Sequence, residues 1–179
     1  MNNQTIAEIY SGNDKIREKF IETLSPLTDE QASTLPDGET WSVAQIAEHV
    51  AIVENGVARI CEKLLQKSQA NGQTSDGTTF ISDSFRSKGV EVAETKLEAP
   101  NMVHPSSGSN IADSLAKMEE TSAKFNDLRP LFETCDCSDF KFPHPYFGEL
   151  SASEWLTLAG GHKMRHLKQI RNVLARITK

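Results

Sequence analysis

The sequence has little of what marks membrane proteins, disulfide-rich secreted proteins or nucleic-acid-binding proteins. No apolar run among its 179 residues approaches membrane-spanning length, and the first residues lack the charged start and apolar stretch of a signal peptide. Three cysteines are an odd number and too few for a disulfide framework, so they are typical of reduced thiols. The net charge is -6 and no cluster of lysine and arginine stands out, whereas a nucleic-acid-binding surface is normally basic. We therefore expect a cytoplasmic protein that has neither a membrane nor a nucleic acid as its partner.

Alternating strand patterns are also missing, and helical patterns take their place. The hydrophobic content of 37% and the charged content of 25% are those of a globular chain, and residues 1–179 are long enough to form one domain with its own core. Four long segments carry apolar residues at the spacing of an amphipathic helix. In the first of these, residues 5–25, the polar Ser11-Gly12-Asn13 either interrupts the helix or forms a polar turn on its exposed face.

Capping signals predict where the later helices start. In a capping box, a serine or threonine is answered three residues later by a glutamate or glutamine. Such pairs open a short helix, the second long helix and the last helix, and they are Thr28 with Gln31, Ser42 with Gln45, and Ser151 with Glu154. The third long helix begins near Ser109 or Asn110, and the last one runs to about Ile177.

The longest interruption lies between the second and third long helices. Residues 70–109 are rich in glycine, serine, threonine and asparagine, with room for a short helix around 80–87. A second loop covers residues 135–150. The pattern therefore predicts an all-α four-helix bundle with a long connection between helices 2 and 3.

Three histidines are the best candidates for chemistry. His162 and His166 are four residues apart in the centre of the apolar stripe of the last helix, so both imidazoles project from one face. His49 lies at the edge of the stripe of the second long helix, so it faces inward or borders the core. Buried ring nitrogens need partners, and a divalent metal would satisfy all three while keeping open coordination positions, as catalytic sites do. The sequence thus predicts a metal site formed by His49, His162 and His166.

A simpler interpretation of these histidines stays open. Water, Gln169 or a backbone carbonyl could satisfy the ring nitrogens without any metal. Gln169 lies one turn beyond His166, so it could also support a ligand or contact a substrate. Gly160-Gly161 lies inside the same helix and costs stability there, which close approach of a neighbour or ligand would explain.

The remaining polar candidates are weaker. Cys135 and Cys137 could form a soft-metal clip, but two loop thiols without further partners are more often unremarkable. His104 and His144 each precede a proline, so they lie in extended loops and either border a pocket or simply face the solvent. Glu48 adjoins His49 but points about 100° away on a helix, so we do not assign it as a general base.

The segments that carry the three histidines resemble the DinB-like, or YfiT-like, metal-binding superfamily. The start of the second long helix is similar to the family's W-S-x-x-x-I-x-x-H-L motif and reads Trp41-Ser42-Val43-Ala44-Gln45-Ile46-Ala47-Glu48-His49-Val50. The end of the chain resembles the family in two further stretches. These are Gly148-Glu149-Leu150-Ser151-Ala152-Ser153-Glu154-Trp155 and His162-x-x-x-His166-x-x-Gln169-Ile170. Ala99-Pro100 before the third helix also fits, so the resemblance covers essentially the whole chain. It implies an up-down-down-up bundle, often dimeric, with a divalent metal on His49, His162 and His166.

The resemblance leaves three functions open. Our first hypothesis is a thiol-dependent S-transferase, in which metal coordination deprotonates a small thiol; characterised relatives include bacillithiol- and mycothiol-dependent S-transferases and maleylpyruvate isomerase. The alternatives are a metal-dependent hydrolase that uses a metal-activated water and a non-enzymatic metal-binding stress-response protein. The expected cofactor is a divalent ion, zinc or nickel first and manganese or iron as alternatives. The expected partners are a small-molecule substrate, a low-molecular-weight thiol among the candidates, and a second copy of the chain in a homodimer. No catalytic residue beyond the metal ligands can be assigned.

Overall fold

Helices account for most of the regular structure. The structure is a computed structural model that describes residues 3–95, 97–106, 108 and 110–177. None of the described helices combines the length and the apolar character needed to cross a membrane. The four long helices confirm the expected all-α class, and the full set is α1 (Ile6–Leu24), α2 (Asp29–Ser33), α3 (Val43–Ala70), α4 (Asp83–Glu94), α5 (Ile111–Thr134) and α6 (Ala152–Ile177), with a 3-10 turn at Asn101–Val103.

The predicted helix starts are confirmed by the cap geometry. All three expected capping boxes form; at α6, for example, the backbone N–H of Glu154 donates to Ser151 Oγ over 3.3 Å, and the N–H of Ser151 donates to Glu154 Oε2 over 3.0 Å. Asn110 caps α5, while the alternative start at Ser109 lies outside the described residues. Ser11-Gly12-Asn13 does not interrupt α1, which is continuous.

Two core clusters fix the directions of the four long helices. One cluster joins the starts of α1 and α6 to the C-terminal halves of α3 and α5. The other joins the ends of α1 and α6 to the N-terminal halves of α3 and α5. Helices α1 and α6 are therefore parallel, and α3 and α5 run in the opposite direction. This is the up-down-down-up arrangement, with the long connection between α3 and α5.

The expectation that strands are missing was wrong at four short segments. Strands β1 (Asn3–Thr5) and β2 (Thr78–Phe80) pair antiparallel, as do β3 (Lys141–His144) and β4 (Gly148–Ser151). Each has only three or four residues, which is too short for a period of two to be recognised in a sequence. The second pair forms a hairpin where a 135–150 loop was predicted, and its last strand leads directly into α6.

Hydrogen bonds attach the long connection between α3 and α5 to the helices of the bundle. It contains α4, which lies at 83–94 rather than at the expected 80–87. The guanidinium of Arg165 on α6 donates to the carbonyls of Val92 and Thr95 over 2.5 and 2.7 Å. Farther along, the carboxylate of Glu48 on α3 accepts from the backbone N–H and the hydroxyl of Ser106 over 2.7 and 2.8 Å. These bonds hold the connection against the same region of α3 and α6 that carries the three histidines.

Helix α1 approaches α6 closely at Gly160. The Asn13 side-chain amide donates to the Leu156 carbonyl over 2.9 Å. A Cβ on Gly160 would overlap Asn13 Oδ1 and lie 3.0 Å from Asn13 Cγ, whereas one on Gly161 would meet nothing within 4 Å. A close neighbour was expected for the glycine pair, and that neighbour is α1. Only Gly160 lies close to it.

We expect Gly160→Ala to lower the free energy of unfolding by about 1–3 kcal/mol, because the new methyl group must displace Asn13 and break its bond to α6. The matched control is Gly161→Ala, which we expect to raise that free energy by up to about 1 kcal/mol through helix propensity alone. Urea denaturation of both variants measures the difference. Equal stability of the two variants would show that the close contact does not exist.

Candidate metal centre

The three predicted histidines come together in one cluster. His49 projects from α3, and His162 and His166 project from successive turns of α6. One ligand atom from each lies within 4.8 Å of the others. The ring centroids are 5.0 Å apart for His49 and His162, 4.8 Å for His49 and His166, and 4.5 Å for His162 and His166. Because α3 and α6 are antiparallel neighbours, residues 113 positions apart in the chain lie at the same level of the bundle.

Two of the imidazoles are oriented by acceptors behind them. His49 Nδ1 lies 2.8 Å from the Val103 carbonyl, which can only accept, so this nitrogen carries the proton. His166 Nδ1 lies 2.8 Å from Gln169 Oε1, which likewise accepts. In both rings the proton on Nδ1 leaves the Nε2 lone pair free and turned away from the acceptor. Acceptors of this kind fix the tautomer of metal-binding histidines in proteins.

The spacing of the ring nitrogens fits a shared ion. His49 Nε2 and His162 Nε2 are 3.2 Å apart. Two nitrogens each about 2.0–2.1 Å from one ion are separated by about 3.0 Å at a right angle and about 3.4 Å at a tetrahedral angle. The observed distance lies between these values. The same two nitrogens could instead share a proton, which is the metal-free interpretation of this contact.

Burial keeps the three imidazoles in the neutral form that metals bind. Desolvation lowers the pKa of His49 from its usual value. It lowers the pKa of His162 well below its usual value, and the nearby His166 and His49 act in the same direction. Desolvation, assisted by His49, lowers the pKa of His166 to about 4. At pH 7 the cluster is therefore uncharged and offers lone pairs rather than cationic rings.

Residues of the connection complete the surroundings of the cluster. Val103, in the 3-10 turn, supplies the carbonyl behind His49. Trp41, just before α3, covers His49 with ring centroids 4.9 Å apart. Gln169 was expected as a possible support of the site, whereas Val103 was not, because a backbone carbonyl leaves no signature in a sequence. Glu48, which was not assigned as a general base from the sequence, accepts from Ser106 with both carboxylate oxygens.

The other polar candidates, two cysteines and two histidines, do not belong to the three-histidine cluster. Cys135, at the end of α5, and Cys137 are both buried, and Cys137 Sγ lies 4.0 Å from Ser153 Oγ at the start of α6. Neither thiol belongs to the three-histidine group. His104 is exposed, and its Nε2 lies 2.8 Å from the Ala99 carbonyl. His144 is half-buried in β3, close enough to His162 for its charge to lower the pKa of that ring.

A buried ion pair between α3 and α6 lies next to the cluster. Lys163 Nζ lies 2.5 Å from Glu54 Oε1, and the two side chains are 4% and 12% exposed. Burial raises the pKa of Glu54, while Lys163 and, more weakly, Arg17 lower it. This pair ties α6 to α3 next to the turn that carries His162.

Three comparisons with known proteins agree with this fold. The sequence model of the DinB superfamily matches residues 13–170. The chain is 26% identical over 164 residues to the uncharacterized protein YuaE of Bacillus subtilis (strain 168), a match that covers 86% of this chain and 90% of that protein. The crystal structure of TT2238, described as a four-helix bundle protein, superimposes with a TM-score of 0.60 at 22% identity, covering 93% of this chain and 98% of that one.

Proposed function

The chain belongs to the DinB superfamily, and from this premise we propose that it is a metal-dependent thiol S-transferase. In this reaction a small thiol loses its S–H proton and its sulfur forms a bond to an electrophilic carbon, from which a leaving group departs. The observation that carries the proposal is the convergence of three neutral imidazoles, two of them with Nδ1 already bonded to an acceptor. Three protein ligands are one fewer than a structural zinc site uses, so the site keeps a position for an exogenous molecule.

His49, His162 and His166 would hold the ion, and the residues around them would keep the rings in place. A bound divalent cation would supply Lewis-acid activation, which favours the thiolate form of a coordinated thiol near neutral pH. The Val103 carbonyl and Gln169 hold the Nδ1 protons, so the donor nitrogens point toward one another without reorganisation. Zinc and nickel both suit imidazole ligands, and manganese or iron remain alternatives.

The part of the chain that the structure describes places no carboxylate in the three-histidine group, which supports transfer over hydrolysis. Hydrolysis by an activated water needs a general base within hydrogen-bond reach. Among the described residues no aspartate or glutamate joins the histidine cluster, and the adjacent Glu48 is committed to Ser106. A thiol is acidic enough to lose its proton without such a base once its pKa is lowered.

Incubation with thiols and electrophiles tests the proposal. Protein purified without a nickel column is first assayed for metal by elemental analysis, then mixed with a panel of low-molecular-weight thiols and the electrophile monobromobimane. We expect a metal-dependent rate of thiol-adduct formation above the spontaneous rate measured without protein, and we expect this acceleration to be lost in His162→Ala. Thiol-independent turnover of p-nitrophenyl acetate would replace the proposal with a hydrolase, and no turnover despite bound metal would replace it with a non-enzymatic metal-binding protein.

We also propose a homodimer in the cytoplasm, on the basis of the family resemblance alone. Sedimentation equilibrium measures the oligomeric state directly. A mass close to 19.8 kDa at micromolar concentration would contradict the dimer.

A further inference from the structure

His144 occupies a fixed position on the hairpin that precedes α6. Its ring packs against Trp155 and Phe147, with centroid distances of 5.2 and 5.0 Å. Trp155 contacts the hairpin a second time, because its indole N–H donates to the Phe142 carbonyl over 3.2 Å. The ring is thus held by aromatic neighbours on both the hairpin and the helix.

Two backbone donors determine which nitrogen of His144 carries the proton. The N–H groups of Tyr146 and Phe147 both point at His144 Nδ1, over 3.1 and 3.3 Å. This nitrogen must therefore accept, and the proton of the neutral ring lies on Nε2. Burial lowers the pKa of His144, which favours this neutral tautomer. In the part of the chain that the structure describes, no hydrogen bond from Nε2 to the protein is found.

His144 and the metal ligands lie on the same side of α6. Trp155 is seven residues, or nearly two turns, before His162, so the two side chains project in almost the same direction about 10 Å apart along the axis. His144 packs against Trp155, with ring centroids 5.2 Å apart, so it lies at the hairpin end of this face of α6. A molecule held at the three histidines and extending about 10 Å along this face of α6 toward the hairpin would reach the neighbourhood of His144.

We propose that His144 binds the substrate: its Nε2–H donates to a carboxylate or carbonyl oxygen of the molecule held at the three-histidine centre. The site then selects thiols that carry such an oxygen several bonds from the sulfur over plain alkyl thiols. This inference rests on the proposed function, since it needs a ligand at the metal centre. It assigns His144 a role in binding and specificity, not in holding the metal.

Thiol binding to the cobalt-loaded protein tests this role without any turnover. The probes are mercaptoalkanoates of two to six carbons, each matched with the alkanethiol of the same length, and the readout is the thiolate-to-cobalt absorption band. We expect at least one chain length of mercaptoalkanoate to bind about ten-fold or more tightly than its alkanethiol, since hydrogen bonds to charged acceptors are the stronger ones.

Two substitutions separate the donor from the structural role of the ring. His144→Asn keeps an acceptor for the backbone N–H groups of Tyr146 and Phe147 but removes the distal donor; His144→Gln keeps a distal N–H but moves the acceptor away. We expect the asparagine variant to lose the ten-fold preference and the glutamine variant to retain part of it, both with unchanged cobalt content. His104→Ala is the matched control, because the Nε2 of that loop histidine is already engaged by Ala99.

The results separate a failure of the role proposed for His144 from a failure of the proposed function. If the native protein binds both probe series equally, or if His144→Asn weakens both series alike, the role of His144 is wrong and the thiol site stands. If cobalt does not bind, or no thiol produces the absorption band, the proposed function is wrong and the inference falls with it.

Discussion

Replacing His162 by alanine is expected to lower the affinity for a divalent cation at least about 100-fold and to leave the helical far-UV circular dichroism signal nearly unchanged. Loss of a residue that only orients a ligand already costs about 10–100-fold in metal affinity, and His162 is one of the three donors that we propose. Its Nε2 lies 3.2 Å from that of His49, so both donors must be present for the ion to be shared.

Competition with a chelator of known affinity measures this change, and elemental analysis of the purified variants checks it. The control is His104→Ala, which also removes one imidazole but from an exposed position outside the cluster. We expect the control to retain its metal. Equal metal content in both variants would remove His162 from the ligand set and with it the basis of the proposed function.

Replacing Lys163 by methionine is expected to lower the free energy of unfolding of the metal-free protein by about 3–5 kcal/mol, the cost of leaving one partner of a buried ion pair alone. The side chain of Glu54 is 12% exposed and its pKa is already raised by burial. Without Lys163, its carboxylate would be charged and nearly unpaired inside the bundle. The double variant Lys163→Met/Glu54→Leu removes both charges, so most of the lost stability should return.

The stability of the Lys163→Met variant should depend on pH because Glu54 ionises. A carboxyl group with a raised pKa in the folded state binds its proton more tightly there than in the unfolded chain, so its contribution to stability is lost as pH rises through the folded pKa. We therefore expect the deficit of Lys163→Met to be larger at pH 8 than at pH 5 in urea denaturation. Lys168→Met, an exposed lysine of the same helix, is the control; a similar loss there, or a deficit independent of pH, would contradict the explanation.

The helices and the paired histidines could be predicted because each depends on local sequence. A capping box needs only two residues three apart, and the pairing of His162 with His166 follows from the helical repeat. The inward position of His49 also followed from its place beside the apolar stripe of α3. The apolar stripes repeat over many residues, and the capping and histidine side chains have distinctive chemistry. Both kinds of pattern can therefore be recognised in the sequence alone.

The features that could not be predicted depend on contacts between distant segments. The carbonyl of Val103 has no side-chain signature, and its role depends on how the connection folds back onto α3. The contact of Asn13 with α6 depends on the distance between two helices, which only the glycine pair indicated. The acceptor role of His144 Nδ1 depends on a hairpin whose strands were too short to recognise.

The position of the three imidazoles along the chain determines when the site can first exist. Two of them belong to α6, the last described helix, and the third lies 113 residues before His162 on α3. During synthesis on the ribosome, a chain that has reached only α5 has a single member of the set. A divalent ion held by all three imidazoles could therefore bind only after α6 has been synthesised and has docked against α3.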